Sequence, residues 1–167
     1  MSHSGRGYGN RGKLAPVAKL RQYRNMLRLP YDCHRCLRED VEQAYPEEAC
    51  GVLLGRLEEL DAVVVRLIAC RNAAPEPCRR YAIAPAGLIA AQQQAQDEGL
   101  EILGFYHSHP DHPAAPSATD LREAHWTGYI YLICGVEKGR LADIAALRLM
   151  DSEKWVAERV HFEPPEN

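Results

Sequence analysis

The stretch Glu101–Asp120, EILGFYHSHPDHPAAPSATD, constrains this chain more than any other. It opens with a short apolar run, Ile102, Leu103, Phe105 and Tyr106, that reads as a strand, and it delivers His107 and His109 two residues apart. Residues i and i+2 of a strand share a face, so both imidazoles can reach one metal ion. Pro110 has no N–H to give to a ladder and stops the strand. A loop rich in proline and alanine follows, and Ser117-Ala118-Thr119-Asp120 reads as the start of a helix. Asp120 on that first turn can swing back as a third ligand. Two histidines and one carboxylate leave the fourth tetrahedral position open, which is the pattern of a catalytic zinc site rather than a structural one. The same Ser-x-x-Asp is also a variant capping box.

Around this stretch the pattern alternates between helix and strand. Residues 32–45 read as a helix, with Asp32 as its N-cap, Leu37, Val41 and Ala44 on one face, and Pro46 ending it. Cys33 and Cys36 lie in that segment with no second cysteine pair at finger spacing, so they read as helical thiols. Residues 49–57 and the β-branched 62–70 read as an antiparallel pair. Arg80-Tyr81-Ala82-Ile83 reads as a short strand after a proline-rich loop. Pro85 suits the first position of a helix over 85–98, with Leu88, Ile89 and Ala95 inward and Gly99 as its cap. Strands follow at 101–109, 129–136, 142–150 and 154–162, with a short helix between Asp120 and about His125. His112 and His125 read as loop residues. The order predicts an α+β single domain built on a largely mixed or antiparallel sheet.

Charge divides the chain. Residues 1–28 hold seven basic residues and no acid, leaving 13 basic against all 23 acidic residues in the remainder. A basic head can be a nucleic-acid arm, a transit peptide or an upstream extension. We read residues 1–26 as a disordered extension, 27–162 as the domain and 163–167 as a frayed tail. Nucleic acid is not expected as a partner, because phosphate would repel the acidic body. No apolar run approaches the ~18 residues that span a bilayer, and no apolar signal core opens the chain. Six cysteines without an export signal point to reduced thiols and a cytoplasmic location.

His107-x-His109, seven residues, Ser117, two residues, Asp120 resembles the JAMM signature of the MPN+ zinc metallopeptidases. That family adds a glutamate ahead of a glycine-containing apolar strand, and Glu48-Ala49-Cys50-Gly51-Val52-Leu53-Leu54-Gly55 matches it. The resemblance covers roughly residues 27–160 and implies an MPN-type fold, a mixed sheet flanked by helices, with one Zn2+ per chain on His107, His109 and Asp120. It also implies Glu48 as the base that takes a proton from water and passes it to the leaving amine. Neighbouring strand residues face opposite ways, so only one of Glu47 and Glu48 can serve; the family's Glu-x-x-Gly spacing selects Glu48. Ser117 would donate its hydroxyl to the oxyanion. A cap role is compatible with that, although one hydroxyl proton cannot serve both at once.

Only eight residues separate Asp120 from the next predicted strand, so the large insertions of the deubiquitinases have no room. The sequence is similar to the compact stand-alone bacterial type. The resemblance then implies a peptidase that cuts after Gly-Gly in the C-terminal tail of a small ubiquitin-like or sulfur-carrier protein. The alternatives are a deubiquitinase-like isopeptidase of a bacterial ubiquitin-like conjugation pathway and a non-catalytic MPN scaffold. A zinc deaminase is excluded by order, since the one Cys-x-x-Cys precedes every other candidate ligand.

Overall fold

The computed structural model describes residues 26–59, 61–124, 126–151 and 154–165 of the chain. The basic head to residue 25, His125 and the last two residues of the expected tail lie outside the described residues. The elements run β1 (Met26–Leu29), α1 (Tyr31–Ala44), β2 (Cys50–Glu58), β3 (Asp61–Cys70) and α2 (Pro85–Glu98). They continue as β4 (Glu101–Pro110), α3 (Ala118–Glu123), β5 (Ile130–Glu137), β6 (Arg140–Asp151) and β7 (Lys154–Phe162). The mixed sheet and helices of the sequence reading are present. The sheet, however, is not an open layer flanked by helices. It closes into a barrel in the order β1-β3-β2-β4-β5-β6-β7. Closure depends on β1, which pairs parallel with both β3 and β7 and buries Leu27 and Leu29. Four residues carry too little periodicity for the sequence to mark them as a strand.

Three further expectations change. α1 begins at Tyr31 behind Pro30, which makes no side-chain cap, so Asp32 sits in the first turn and is not the cap. There its charge complements the helix dipole instead. Ile89 is 68% exposed, and Ala91 and Ala95 form the buried face of α2. The Arg80–Ile83 segment makes a single bridge, Ile83 to Asn72, and no ladder. Pro85 and Gly99 behave as read: α2 starts at Pro85, and Gly99 ends it with φ 63° and its amide on the last turn. At the far end, the Glu163 amide donates to the Leu29 carbonyl at 3.1 Å and Arg28 holds the Glu163 carboxylate. Among the described residues no helix is long and apolar enough to cross a membrane.

β4 is the strand that positions the site. It pairs antiparallel with β2 and parallel with β5, and Ile102 through His109 are all buried. α1 touches β3, β5 and β6, strands from opposite walls, so it lies across the space that the sheet encloses. α2 touches three neighbouring strands, β2, β3 and β4, and covers them from outside. The alternation of β4 is therefore a choice between two buried environments. Tyr106 faces α1 and donates its hydroxyl to Asp40 at 2.8 Å, and Ser108 shares that face. His107 and His109 point to the other face, the one that α2 covers. Gly51 is opposite Tyr106, and a Cβ there would collide with the Tyr106 ring and the Ile68 carbonyl.

The inner face also holds a buried charge pair. Register from β4 through β5 and β6 to β7 puts Arg148 and Glu158 on the Tyr106 side, with Arg148 Nε 2.7 Å from Glu158 Oε1. Burial pushes the Glu158 carboxyl up to about 7, and Arg148 works against that shift. The Arg148 guanidinium, 2.7 Å away, offsets part of that desolvation. Removing one member of such a pair leaves the other charge uncompensated, which costs ~3–5 kcal/mol, whereas replacing both with apolar groups is often neutral. Arg148→Leu is therefore expected to lower stability by about 3–5 kcal/mol, and Arg148→Leu with Glu158→Leu to recover most of it. Urea unfolding of the three proteins checks both directions.

Candidate metal centre

β4 and the segment after it bring three of the candidate residues together. His107 Nε2 and His109 Nε2 lie 3.0 Å apart, His107 Nε2 is 3.3 Å from Asp120 Oδ1, and His109 Nε2 is 3.2 Å from Asp120 Oδ2. Two imidazole lone pairs at that separation repel unless a proton or a cation lies between them. With zinc–ligand bonds of ~2.0–2.1 Å, the edge of a tetrahedral site is about 3.3 Å. The three distances fit that edge, and His107, His109 and Asp120 form a group able to hold a metal.

Local structure explains the arrangement. Pro110 is the last residue of β4, and Asp111 follows at φ 56°, a conformation that Asp tolerates better than most side chains. Asp111 is tied there by Tyr45 Oη at 2.9 Å and by the Lys138 amide at 2.9 Å. The chain then lies against Gly135, the β5 partner of His109, where a Cβ would meet the Ala114 amide at 2.9 Å. That close approach brings the Pro113 carbonyl to 3.2 Å from His109 Nδ1. The contact puts a proton on Nδ1 and turns Nε2 towards the other two candidate ligands.

Ser117 is the N-cap of α3, with both halves of the capping box made. Its Oγ accepts from the Asp120 amide at 3.1 Å, and its own amide donates to Asp120 Oδ2 at 2.7 Å. The cap thus uses a lone pair of Oγ, and the hydroxyl proton remains available. The competition for one proton expected from the sequence does not arise. Burial alone would raise the Asp120 carboxyl; hydrogen bonds from His107, His109 and Ser117 hold it well below the usual carboxylate range. Burial pulls His107 down, which keeps its ring neutral; in His109 the same pull is outweighed by Asp120, and its pKa is raised.

Glu48 lies two residues before β2 and is 7% exposed, while Glu47 is exposed; both are outside the strand, so the difference comes from the loop and not from strand alternation. Burial pushes the Glu48 carboxyl up to about 7; His109 lowers it and Asp120 raises it, which places the carboxyl within the field of the ligand group. His112 is exposed and outside that group, Cys33 is buried and Cys36 exposed. Two residues of the site escaped the sequence reading. Tyr81 stacks on His107 with ring centroids 4.2 Å apart and planes 18° apart. Asn72 bonds the Glu48 carbonyl at 3.0 Å, the Arg80 carbonyl at 2.9 Å and the Ala82 amide at 3.1 Å. The available signal was the alternation Arg80-Tyr81-Ala82-Ile83 beside an asparagine in a proline-rich loop.

Asp120 also lines a cavity of about 500 Å³, with Tyr81, Ile83, Leu88, Phe105 and Trp126 among its walls. One wall is an unpaired edge. Ala73 N donates to Ala82 O and Ala84 N to Arg71 O, so Asn72 and Ile83 face each other as a non-hydrogen-bonded pair. The N–H and C=O of Tyr81 and Ile83 therefore point away from that pairing, free of partners among the described residues.

A family model described as prokaryotic homologs of the JAB domain matches residues 30–149. The chain is 36% identical over 104 residues to a desampylase of Haloferax volcanii, covering 62% of this chain and 73% of that one. It is 39% identical over 92 residues to a probable TtuB-protein conjugate cleaving protease of Thermus thermophilus, covering 55% of this chain and 58% of that one. Among solved structures, a Desulfitobacterium hafniense protein superposes with a TM-score of 0.75 at 28% identity, over 84% of this chain and 94% of that one.

The burial of Glu48 has a thermodynamic consequence. A carboxyl at about 7 in the fold and ~4.3 in the unfolded chain holds its proton more tightly when folded. Its stabilising contribution is complete below the unfolded value and is lost as pH rises through about 7. Metal-free Glu48→Gln should therefore be more stable than wild type at pH 8 by on the order of 2–3 kcal/mol, the gap closing towards pH 4. Denaturant titrations of the two metal-free proteins across that range measure it.

Proposed function

This chain belongs to the family of prokaryotic homologs of the JAB domain, and on that premise we propose that it is a zinc-dependent peptidase acting on the C-terminal tail of a small ubiquitin-like or sulfur-carrier protein. The observation that carries the reading is the trio of ligand atoms within 4.8 Å of one another, delivered by β4 and α3 beside a buried carboxyl. His107, His109 and Asp120 would hold one zinc ion. Bound there, zinc supplies Lewis acidity to the water and the carbonyl at its open position.

The chain's own residues do the rest. Glu48, with its pKa pushed up to about 7, is poised to take a proton from water near neutral pH and return it to the leaving amine. Ser117 Oγ keeps its proton for the oxyanion because its cap bond is accepted, not donated. The Tyr81–Ile83 edge supports binding of an extended tail by strand addition, with the cavity taking its side chains. A tail crossing the metal must be slim there, which favours Gly-Gly before the scissile bond. Two relatives are named for cleaving conjugates or as a desampylase, and this favours an isopeptide link between carrier and target as the bond cut. A scaffold without activity is disfavoured, since all five expected residues are present and four are gathered at one place.

The purified protein is expected to carry about one zinc per chain and to lose it in His109→Ala and Asp120→Ala; elemental analysis finding full zinc in both would overturn the ligand set. Glu48→Gln should keep the zinc and lose turnover by orders of magnitude, and Ser117→Ala should cost ~10²–10³ in kcat. For the substrate, mass spectrometry should show cleavage immediately after Gly-Gly in a small β-grasp carrier. A second-Gly-to-Val tail should resist. Equal cutting of the Val tail, or of generic unfolded proteins, would replace the carrier reading with a broad peptidase.

A further inference from the structure

The two candidate ligand histidines are held in different ways. His109 is oriented by the Pro113 carbonyl on its Nδ1. His107 has no such bond: its Nδ1 is buried and finds no hydrogen-bond partner among the described residues. Metal-ligating histidines almost always donate their other N–H to a carboxylate, a carbonyl or water, and that contact sets the ring plane. Rotation about the last imidazole torsion is soft. A ring without that bond needs something else to keep Nε2 on the 3.0 Å and 3.3 Å contacts it makes with His109 and Asp120.

Tyr81 meets that need. Its ring covers the face of His107 at 4.2 Å and 18°, close to parallel and slightly closer than the ~4.5–7 Å usual for favourable ring pairs. The neighbours of His107 in the sheet are Cys50 on β2 and Ile133 on β5, neither of which has a ring to lay on it. Tyr81 is itself rigidly delivered. Asn72 spans the loop, taking the Ala74 and Ala82 amides on Oδ1 and giving Nδ2 to the carbonyls of Glu48, two residues before β2, and of Arg80, next to Tyr81. Glu48 N in turn donates to the Pro77 carbonyl at 2.7 Å. One asparagine thus ties the Tyr81 segment and the Glu48 backbone into a single frame.

We propose that Tyr81 is a positioning residue, whose stacked ring fixes the plane of His107 in place of the hydrogen bond that orients His109. The proposal rests on the metal-centre reading above. In it the aromatic face matters and the hydroxyl does not. Tyr81→Phe should hold zinc within about twofold of wild type, whereas Tyr81→Leu should weaken it 10–100-fold, the range for loss of a ligand-orienting partner. Chelator competition gives both values, and the d–d spectrum of the cobalt-substituted proteins should broaden only in the leucine variant.

A measurement on the metal-free protein separates this idea from the metal reading. A tyrosine ring stacked on His107 shifts the imidazole C–H resonances upfield, and the shift should persist in Tyr81→Phe and vanish in Tyr81→Leu. If wild type and Tyr81→Leu show the same His107 resonances, the stack is absent and the proposal fails. Should the shift be present while all three proteins bind zinc equally, the ring packs without positioning, and the proposal fails again. Loss of zinc in Tyr81→Phe to the level of Tyr81→Leu would assign the effect to the hydroxyl and overturn it too. A wild-type protein that shows the shift yet binds no zinc overturns the metallopeptidase reading and, with it, the role given to Tyr81.

Discussion

Parallel pairing of β4 with β5 is the constraint from which the site follows. Gly104 lies beside Ile130 and Pro110 beside Val136, so the chain leaves β4 at one end of the pair and must re-enter β5 at the other. A hairpin cannot do this; parallel neighbours need a crossover of a dozen or more residues. Residues 111–129 are that crossover, and they return over the end of β4 where His107 and His109 emerge. Asp111 turns the chain, Gly135 lets it lie close, and α3 presents Asp120 from its first turn. The third ligand is thus a product of strand order as much as of local sequence.

Much of this was legible in the residues. Alternation in β4, Pro85 opening α2 and Gly99 closing it are local rules, and the fold obeys them. The spacing from His109 to Ser117 and Asp120 marks residues that the fold gathers, with ligand atoms of His107, His109 and Asp120 within 4.8 Å of one another. What was not legible depended on distant partners. β1 is four residues whose strand character exists only because β3 and β7 receive it. Ile89 obeyed no inward rule because two alanines let α2 approach the sheet more closely on a different face. Tyr81 and Asn72 carry their meaning across the fold, on His107 and Glu48, and no periodicity in a loop announces that.

The site also shows where stability has been set against chemistry. A carboxyl that is 7% exposed and has no cationic side chain bonded to it is an unfavourable group in a fold at neutral pH. Its burial beside His109 and Asp120 raises its proton affinity into the neutral range, which the proposed role of a base would require. The capping box on Ser117 and Asp120 offsets part of that cost by fixing two site residues through backbone amides. Electrostatic pre-organisation of this kind needs rigid support, and β4, buried from Ile102 to His109, provides it.

The closed sheet has a consequence for how the molecule behaves among other chains. Open sheets carry a row of unsatisfied amides and carbonyls along their outer strands, and these invite pairing with any extended polypeptide, including another copy. Here β1 bridges β3 and β7 and removes that row where it pairs, at Ala62 and Val63 of β3 and at Arg159–Phe162 of β7. Backbone able to recruit a strand also lies at Tyr81 and Ile83, whose outward N–H and C=O groups have no partner among the described residues. Where β1 pairs, a second copy finds no edge to extend, whereas the Tyr81–Ile83 backbone beside His107 can receive a single extended thread of chain.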